Sequence, residues 1–254
     1  MKNIVFIPNI NLSDGRSTPY HYSVKSWKKW CDKNKIELIE WTEPLMDPKK
    51  FPIIMQREWV FDVLDHNNID YDQVLIIDAD TIIHPECPNF FNETNNEYSA
   101  VLNNGCYEWV TRSIYGWGTS LFPGEPLIKT YGYINTGFII ANKKHKPFFD
   151  KVKELYLNNG DEIQVLRDKI KASTGQTIIN FMLQRHNIKV NYMSEAYNLQ
   201  DMFRKNLLHI PNHSWFPDEL RFLEAGWIYH FNSIPPGSRN MSYWMERTYN
   251  ALYG

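Results

Sequence analysis

Val74-Leu75-Ile76-Ile77-Asp78-Ala79-Asp80-Thr81 is the stretch from which the fold of this chain is read. Four aliphatic residues in a row, with no polar alternation, describe a strand buried on both faces, as in a parallel α/β sheet. Two carboxylates end that strand. Charges at the end of a core strand are costly unless a cation shares them. Hard oxygen ligands suit Mg²⁺ or Mn²⁺. Such ions commonly bridge to phosphate oxygens, so the triplet points to a phosphate-bearing substrate. The plain structural alternative is a turn or helix cap formed by Asp78 and Asp80.

Upstream, strand and helix patterns alternate. Residues 3 to 7 read as a strand stopped by Pro8. Residues 20 to 34 read as a helix with Val24, Trp27 and Trp30 on one face. Residues 37 to 41 read as a strand, 44 to 52 as a proline-marked loop, and 53 to 67 as a helix carrying Val60, Phe61 and Leu64. Residues 71 to 77 form the third strand, which delivers Asp78 and Asp80. This alternation predicts an α/β, doubly wound sheet, and ligands of such sheets bind at the carboxyl ends of strands.

Downstream the pattern loosens. Residues 100 to 102 read as a short strand, and 103 to 133 as a long loop rich in Gly, Trp and Tyr without periodicity, of the kind that carries function. Residues 133 to 141 form a strand interrupted by Asn135-Thr136-Gly137. Helices are expected at 147 to 157, 174 to 185 and 242 to 252, and strands at 189 to 192 and 227 to 231. No repeat, low-complexity tract or linker divides the chain, so residues 1–254 read as one domain.

The formal net charge of -2 offers no basic surface for nucleic acid or an anionic membrane. The 9 Trp and 15 Tyr are read mainly as core packing, with Trp109, Tyr115 and Trp117 as a candidate sugar-stacking face. Cys31, Cys87 and Cys106 lack metal spacing and are odd in number, which fits reduced thiols and a cytoplasmic location. The first apolar run is too short for a signal peptide, and no window approaches a membrane span.

Four short segments, in order, resemble the GT-A glycosyltransferases, nearest to the retaining group around glycosyltransferase family 8. They are residues 74 to 83, residues 133 to 142, Gly175-Gln176-Thr177-Ile178-Ile179-Asn180, and Tyr229-His230-Phe231 followed by Pro236-Gly237-Ser238-Arg239. The resemblance implies a GT-A type, Rossmann-like, mostly parallel mixed sheet with flanking helices. It implies a metal-dependent glycosyltransferase that moves a sugar from a nucleotide-diphosphate sugar, by default a UDP-sugar, to a hydroxyl acceptor such as a glycan. Asp78, Asp80 and His230 would then hold Mn²⁺ or Mg²⁺, with Asp78, Asp80, Asn135 and Gln176 as the catalytic set. Pro8, Asn9 and Ile10 would meet the nucleoside. Arg57, Ala79, Thr136 and Gly137 would face the donor, and Gly237, Ser238 and Arg239 its diphosphate. Residues 1–102 would form the nucleotide half and 103–254 the sugar and acceptor half. The acceptor side would be shaped by 103–133 and by 195–226, including His213, Trp215 and Trp227.

One position departs from the family pattern. Where the family often has Asp-Gln, this chain has Gly175-Gln176. An inverting enzyme needs a carboxylate base, and Asp161, Glu162 and Glu195 are the substitutes at hand. A same-face, retaining reaction needs none, so retention is expected. Three other readings compete. A nucleotidyltransferase would want a glycine-rich basic loop after the first strand, but residues 9 to 16 hold one Gly and one Arg. A haloacid-dehalogenase-like phosphatase uses Asp-X-Asp-X-Thr, but on its first strand and with a late acidic pair. A non-catalytic carbohydrate-binding module would use the aromatic residues alone.

Overall fold

A computed structural model describes residues 2–11, 15, 17–48, 51–208 and 220–254. His213 and Trp215 lie outside the described residues, as does part of the 9 to 16 loop. The chain runs β1 (Asn3–Pro8), α1 (Tyr20–Asn34), β2 (Glu37–Trp41), α2 (Ile53–Gln56), a 3₁₀ turn (Arg57–Trp59), α3 (Val60–His66), β3 (Gln73–Ile77) and β4 (Thr81–Ile83). It continues through β5 (Tyr98–Leu102), α4 (Tyr107–Ser120), β6 (Ile134–Asn142), α5 (Lys146–Ile170), α6 (Gly175–Arg185), β7 (Val190–Met193), β8 (Ile228–His230) and α7 (Met241–Tyr253).

Six strands form one sheet in the order β2-β1-β3-β6-β5-β7, and β4 pairs with β8 in a second, two-stranded sheet. β1 is parallel to β2 and β3, and β5 is parallel to β7. β6 runs antiparallel to both its neighbours. The large sheet is therefore mostly parallel with one reversed strand at its centre, as expected. Every residue of β3 and β6 is buried. Alternate side chains feed two cores. Ile4, Phe6, Val74, Ile76 and Ile139 join α3 to α6 on one face. Val5, Ile7, Leu75, Ile77, Phe138 and Ile140 join α1, α7 and the small sheet on the other. Each such aliphatic contributes roughly 1.5–3 kcal/mol by leaving water.

Four features differ from expectation. The helix expected over 53 to 67 is broken by the 3₁₀ turn at Arg57–Trp59. That turn carries Arg57 and Glu58 into the interior, where they are 4% and 1% exposed, and mid-helix 3₁₀ turns often mark such functional departures. The loop expected over 103 to 133 contains α4, whose buried residues are Val110, Ser113, Ile114, Trp117 and Gly118. The helical spacing is present, but Ser and Gly occupy two of its inward positions. A Cβ at Gly118 would come within 2.6 Å of Leu127, and one at Gly116 within 2.7 Å of Ile170. β4 was absent from the expectation, being only 3 residues long. α5 continues past the expected 157 to Ile170, across a kink at Asn159, whereas at Asn135-Thr136-Gly137 the ladder of β6 is interrupted as expected while its backbone stays extended. The pairing with β5 jumps there from Ala100↔Ile139 to Val101↔Asn135, a bulge within β6. Among the described residues, no helix is long and apolar enough to cross a membrane.

Candidate active site

The acidic turn between β3 and β4 is tied down at its backbone. The Thr81 hydroxyl donates to the Asp78 carbonyl at 2.8 Å and accepts from the Trp27 indole N–H at 3.0 Å. β4 then pairs with β8 so that Thr81 faces His230, and the Phe231 N–H donates to the Asp80 carbonyl at 2.8 Å. The small sheet thus carries His230, 150 residues downstream of the turn, onto the two carboxylates. His230 Nε2 lies 3.2 Å from Asp80 Oδ1 and 3.7 Å from Asp78 Oδ2. One ligand atom from each of Asp78, Asp80 and His230 falls within a 4.8 Å cluster. Ala79 between the acids packs into the core.

Gly137 has a specific reason to be glycine. A Cβ there would stand 2.4 Å from His230 Cε1 and 2.9 Å from both Asn135 Oδ1 and Asp78 Oδ2. Its absence lets the bulge of β6 close over the cluster, and the Asp78 N–H donates to the Gly137 carbonyl at 3.0 Å. Burial works to lower the His230 pKa, but Asp80, helped by Asp78 and Asp201, outweighs it and the net shift is upward. The two carboxylates and the ring nitrogen lie close enough together to share a dication. The donor set, two hard oxygens and one imidazole nitrogen on rigid strands, fits Mn²⁺ or Mg²⁺.

The residues around the cluster form two groups. In one, the Arg57 guanidinium spans Asp78 and the bulge. Nη1 donates to Asp78 Oδ1 at 2.6 Å and to the Thr136 carbonyl at 2.8 Å, and Nη2 donates to Thr136 Oγ1 at 2.8 Å. Arg57 Nε lies 3.6 Å from Glu58 Oε1. Burial pushes the Glu58 pKa up to about 7, with Arg57 pulling it down and Asp78 adding to the rise. Glu58 Oε2, Arg57 Nε and the hydroxyls of Tyr98 and Tyr156 are buried without hydrogen-bond partners.

In the other group, amides run from β8 to β5. His230 Nδ1 lies 3.0 Å from Asn198 Oδ1, and Asn198 Nδ2 donates to Asn135 Oδ1 at 2.9 Å. Asn135 Nδ2 donates to Gln200 Oε1 at 2.5 Å, and Gln200 Nε2 to the Leu102 carbonyl at 2.8 Å. Gln176, in the first turn of α6, accepts the Thr136 N–H at 3.2 Å, while its Nε2 is buried without a partner. Asn180 joins α6 to β6 by bonding both the N–H and the carbonyl of Ile134.

The structure therefore brings together Asp78, Asp80, His230, Arg57, Thr136, Gly137, Asn135 and Gln176. Pro8, Asn9 and Ile10 sit at the carboxyl end of β1, the strand beside β3. There the Asn9 N–H donates to the Trp41 carbonyl at 2.8 Å and Asn9 Nδ2 to Glu40 at 2.6 Å. Gly237, Ser238 and Arg239 lie on the exposed stretch between β8 and α7. Asp161 and Glu162 are exposed on α5, and Glu195 is exposed and takes the Asn104 amide. Trp117 is fully buried while Tyr115 is exposed, so they do not share a sugar-stacking face. Glu58, Asn198, Gln200 and Asp201 are buried polar residues that the sequence reading missed. The one trace of the last three is the polar run Asn198-Leu199-Gln200-Asp201 before Met202.

This arrangement, a reversed strand inside a parallel sheet with an acidic turn at its edge, is the GT-A fold of glycosyltransferases. No family model and no curated protein matches the sequence. Solved structures match the fold. A glycosyltransferase involved in the glycosylation of the major capsid of PBCV-1 aligns at TM-score 0.60 and 10% identity, over 97% of this chain and 100% of that one. The galactosyltransferase LgtC, solved with donor and acceptor sugar analogues, aligns at TM-score 0.50 and 14% identity over 99% and 96%. The glycosyltransferase GlyE of Streptococcus pneumoniae TIGR4 aligns at TM-score 0.50 and 14% identity over 99% of this chain, which spans 63% of GlyE. At such identities the likeness establishes the fold.

Proposed function

We propose that the chain is a metal-dependent glycosyltransferase that moves a sugar from a nucleotide-diphosphate sugar, by resemblance a UDP-sugar, to a hydroxyl of a glycan acceptor. The observation that carries this reading is the Asp78–Asp80–His230 cluster at the carboxyl end of a central strand in a GT-A sheet. Asp78, Asp80 and His230 would hold Mn²⁺ or Mg²⁺, which neutralises charge on a leaving diphosphate when bound. Arg57 holds Asp78 from behind, so its role is to orient that carboxylate. Gln176 holds the bulge of β6 by accepting the Thr136 N–H. Residues 1–102 serve as the nucleotide half, with Pro8, Asn9 and Ile10 at the nucleoside. Residues 103–254 serve the donor sugar and acceptor, with Gly237, Ser238 and Arg239 near the diphosphate, and the reaction takes place in the cytoplasm.

Retention is supported by the positions of the carboxylates considered as bases. Gly175 opens α6 where an acid would stand, Asp161 and Glu162 are exposed on α5, and Glu195 is engaged by Asn104. With none of these placed as a base, the acceptor proton would go to the leaving phosphate on the same face of the sugar. The test is turnover of a UDP-sugar panel with Mn²⁺, with the product anomer read by NMR. The expected result is transfer with retained configuration in wild type and none in Asp80→Ala at an unchanged melting temperature. Unchanged turnover in Asp80→Ala overturns the site assignment, and an inverted product overturns retention.

A further inference from the structure

We propose that Asn198 is a positioning residue for the metal centre. It keeps a hydrogen on His230 Nδ1, holds Nε2 on the side of Asp78 and Asp80, and couples that ligand to Asn135. The inference rests on the metal-site reading given above, but its tautomer half stands on hydrogen bonds alone.

Amide groups are easily drawn in either orientation, and an imidazole in either tautomer. Here two backbone groups remove the choice. The Leu102 carbonyl can only accept, so the Gln200 atom beside it at 2.8 Å is the NH₂, and the Gln200 oxygen faces Asn135. The Gly137 N–H can only donate, so the Asn135 atom beside it at 2.8 Å is the oxygen. Both anchors orient Asn135 the same way, with NH₂ toward Gln200 and oxygen toward Gly137 and Asn198. Asn198 must then present its NH₂ to that oxygen, at 2.9 Å, and its own oxygen to His230 Nδ1, at 3.0 Å. An oxygen there accepts, so Nδ1 carries a hydrogen, and Nε2, facing Asp80 Oδ1 at 3.2 Å, is the nitrogen whose proton a metal would replace.

Burial makes this costly to break. Asn198 and Gln200 are fully buried, and His230 and Asn135 nearly so. Reversing one amide would set oxygen against oxygen or NH₂ against NH in a place that water does not reach. A metal-bound histidine usually donates its other nitrogen to such a partner, and loss of that partner typically lowers metal affinity about 10–100-fold. The relay adds a second consequence. Asn135 and His230 are both oriented by Asn198, so the donor-side amide and the metal ligand are set together.

The experiment uses the full chain with ¹⁵N-labelled histidine. Long-range ¹H–¹⁵N spectra of the metal-free protein should show a hydrogen on His230 Nδ1, and saturation with diamagnetic Mg²⁺ should leave Nδ1 protonated and Nε2 without a hydrogen. In Asn198→Leu, which keeps the volume and removes the hydrogen bonds, the ring should become a mixture of tautomers. Mn²⁺ titration by calorimetry should show an affinity loss of about 10–100-fold in Asn198→Leu. Asn198→Asp restores an acceptor for Nδ1 but cannot donate to Asn135. It should therefore hold Mn²⁺ at least as well as wild type while raising KM for the donor. A bare Nδ1 in wild type, or an unchanged ring in Asn198→Leu, overturns the proposal. Wild type that shows Nδ1–H but binds no Mn²⁺ overturns the metal reading instead.

Discussion

Residues 107–120 and 195–201 look alike in sequence and do opposite things. In the first the apolar spacing is thinned to Val110, Ile114 and Trp117, and in the second none is visible. The first becomes α4, a helix buried along Val110, Ser113, Ile114, Trp117 and Gly118. The second runs past the site and buries Asn198, Gln200 and Asp201. An apolar period can thus fade for two reasons. Along α4, small residues replace large ones where Phe181, Leu127 and Ile170 press against the helix. Along 198–201, polar side chains are buried because other buried side chains satisfy them. One segment supports the fold and the other the chemistry, and the two roles separate on substitution.

The largest separation is expected at Trp117, which is fully buried on the inner face of α4. Trp117→Ala should lower the free energy of unfolding by about 3–5 kcal/mol in denaturant titration. Mn²⁺ affinity of the folded protein should not change, and a parallel loss of affinity would break the comparison.

Glu58 sharpens it from the other side, as a buried polar group whose outer oxygen has no partner. Burial raises its pKa from 4.5 to about 7. Because the folded value is the higher one, its favourable contribution is complete below 4.5 and is lost as the pH rises through about 7. Thermal unfolding followed from pH 4 to 8 should show Glu58→Gln gaining on wild type through that window, by at most about 3 kcal/mol. Parallel curves would show that Glu58 is not strained by its burial. Smallest of all should be Tyr115→Ala, on the exposed face of α4. Its stability should stay within about 0.5 kcal/mol of wild type, and its turnover should be unchanged. A large drop in turnover alone would restore an aromatic sugar-stacking role for that face.

Much of the frame was legible because it is written in unbroken runs. Val74 to Ile77 had to be a central strand, and the acids after it had to lie at the sheet's binding edge. The α1 stripe of Trp27 and Trp30 was equally plain, and both are buried. His230 was reached only through resemblance, since nothing local says that a three-residue strand will pair with Thr81–Ile83. The break at Arg57–Trp59 was hidden because Arg57 and Glu58 are good helix formers and turn inward only to meet Asp78 and each other. Asn198 and Gln200 were hidden for a similar reason. Their partners are Asn135, Leu102 and His230, all distant in the chain, and a polar residue in an irregular segment otherwise reads as solvated surface.

The central claim is that Asp78, Asp80 and His230 form a metal centre for a nucleotide-diphosphate sugar. Its most direct test is calorimetric titration of Mn²⁺, followed by UDP, into wild type and Asp80→Ala. Wild type should bind Mn²⁺ and then UDP, with no UDP binding when Mn²⁺ is chelated. Asp80→Ala should bind neither, at an unchanged melting temperature. Equal Mn²⁺ binding by the two proteins, or UDP binding that ignores the metal, would contradict it.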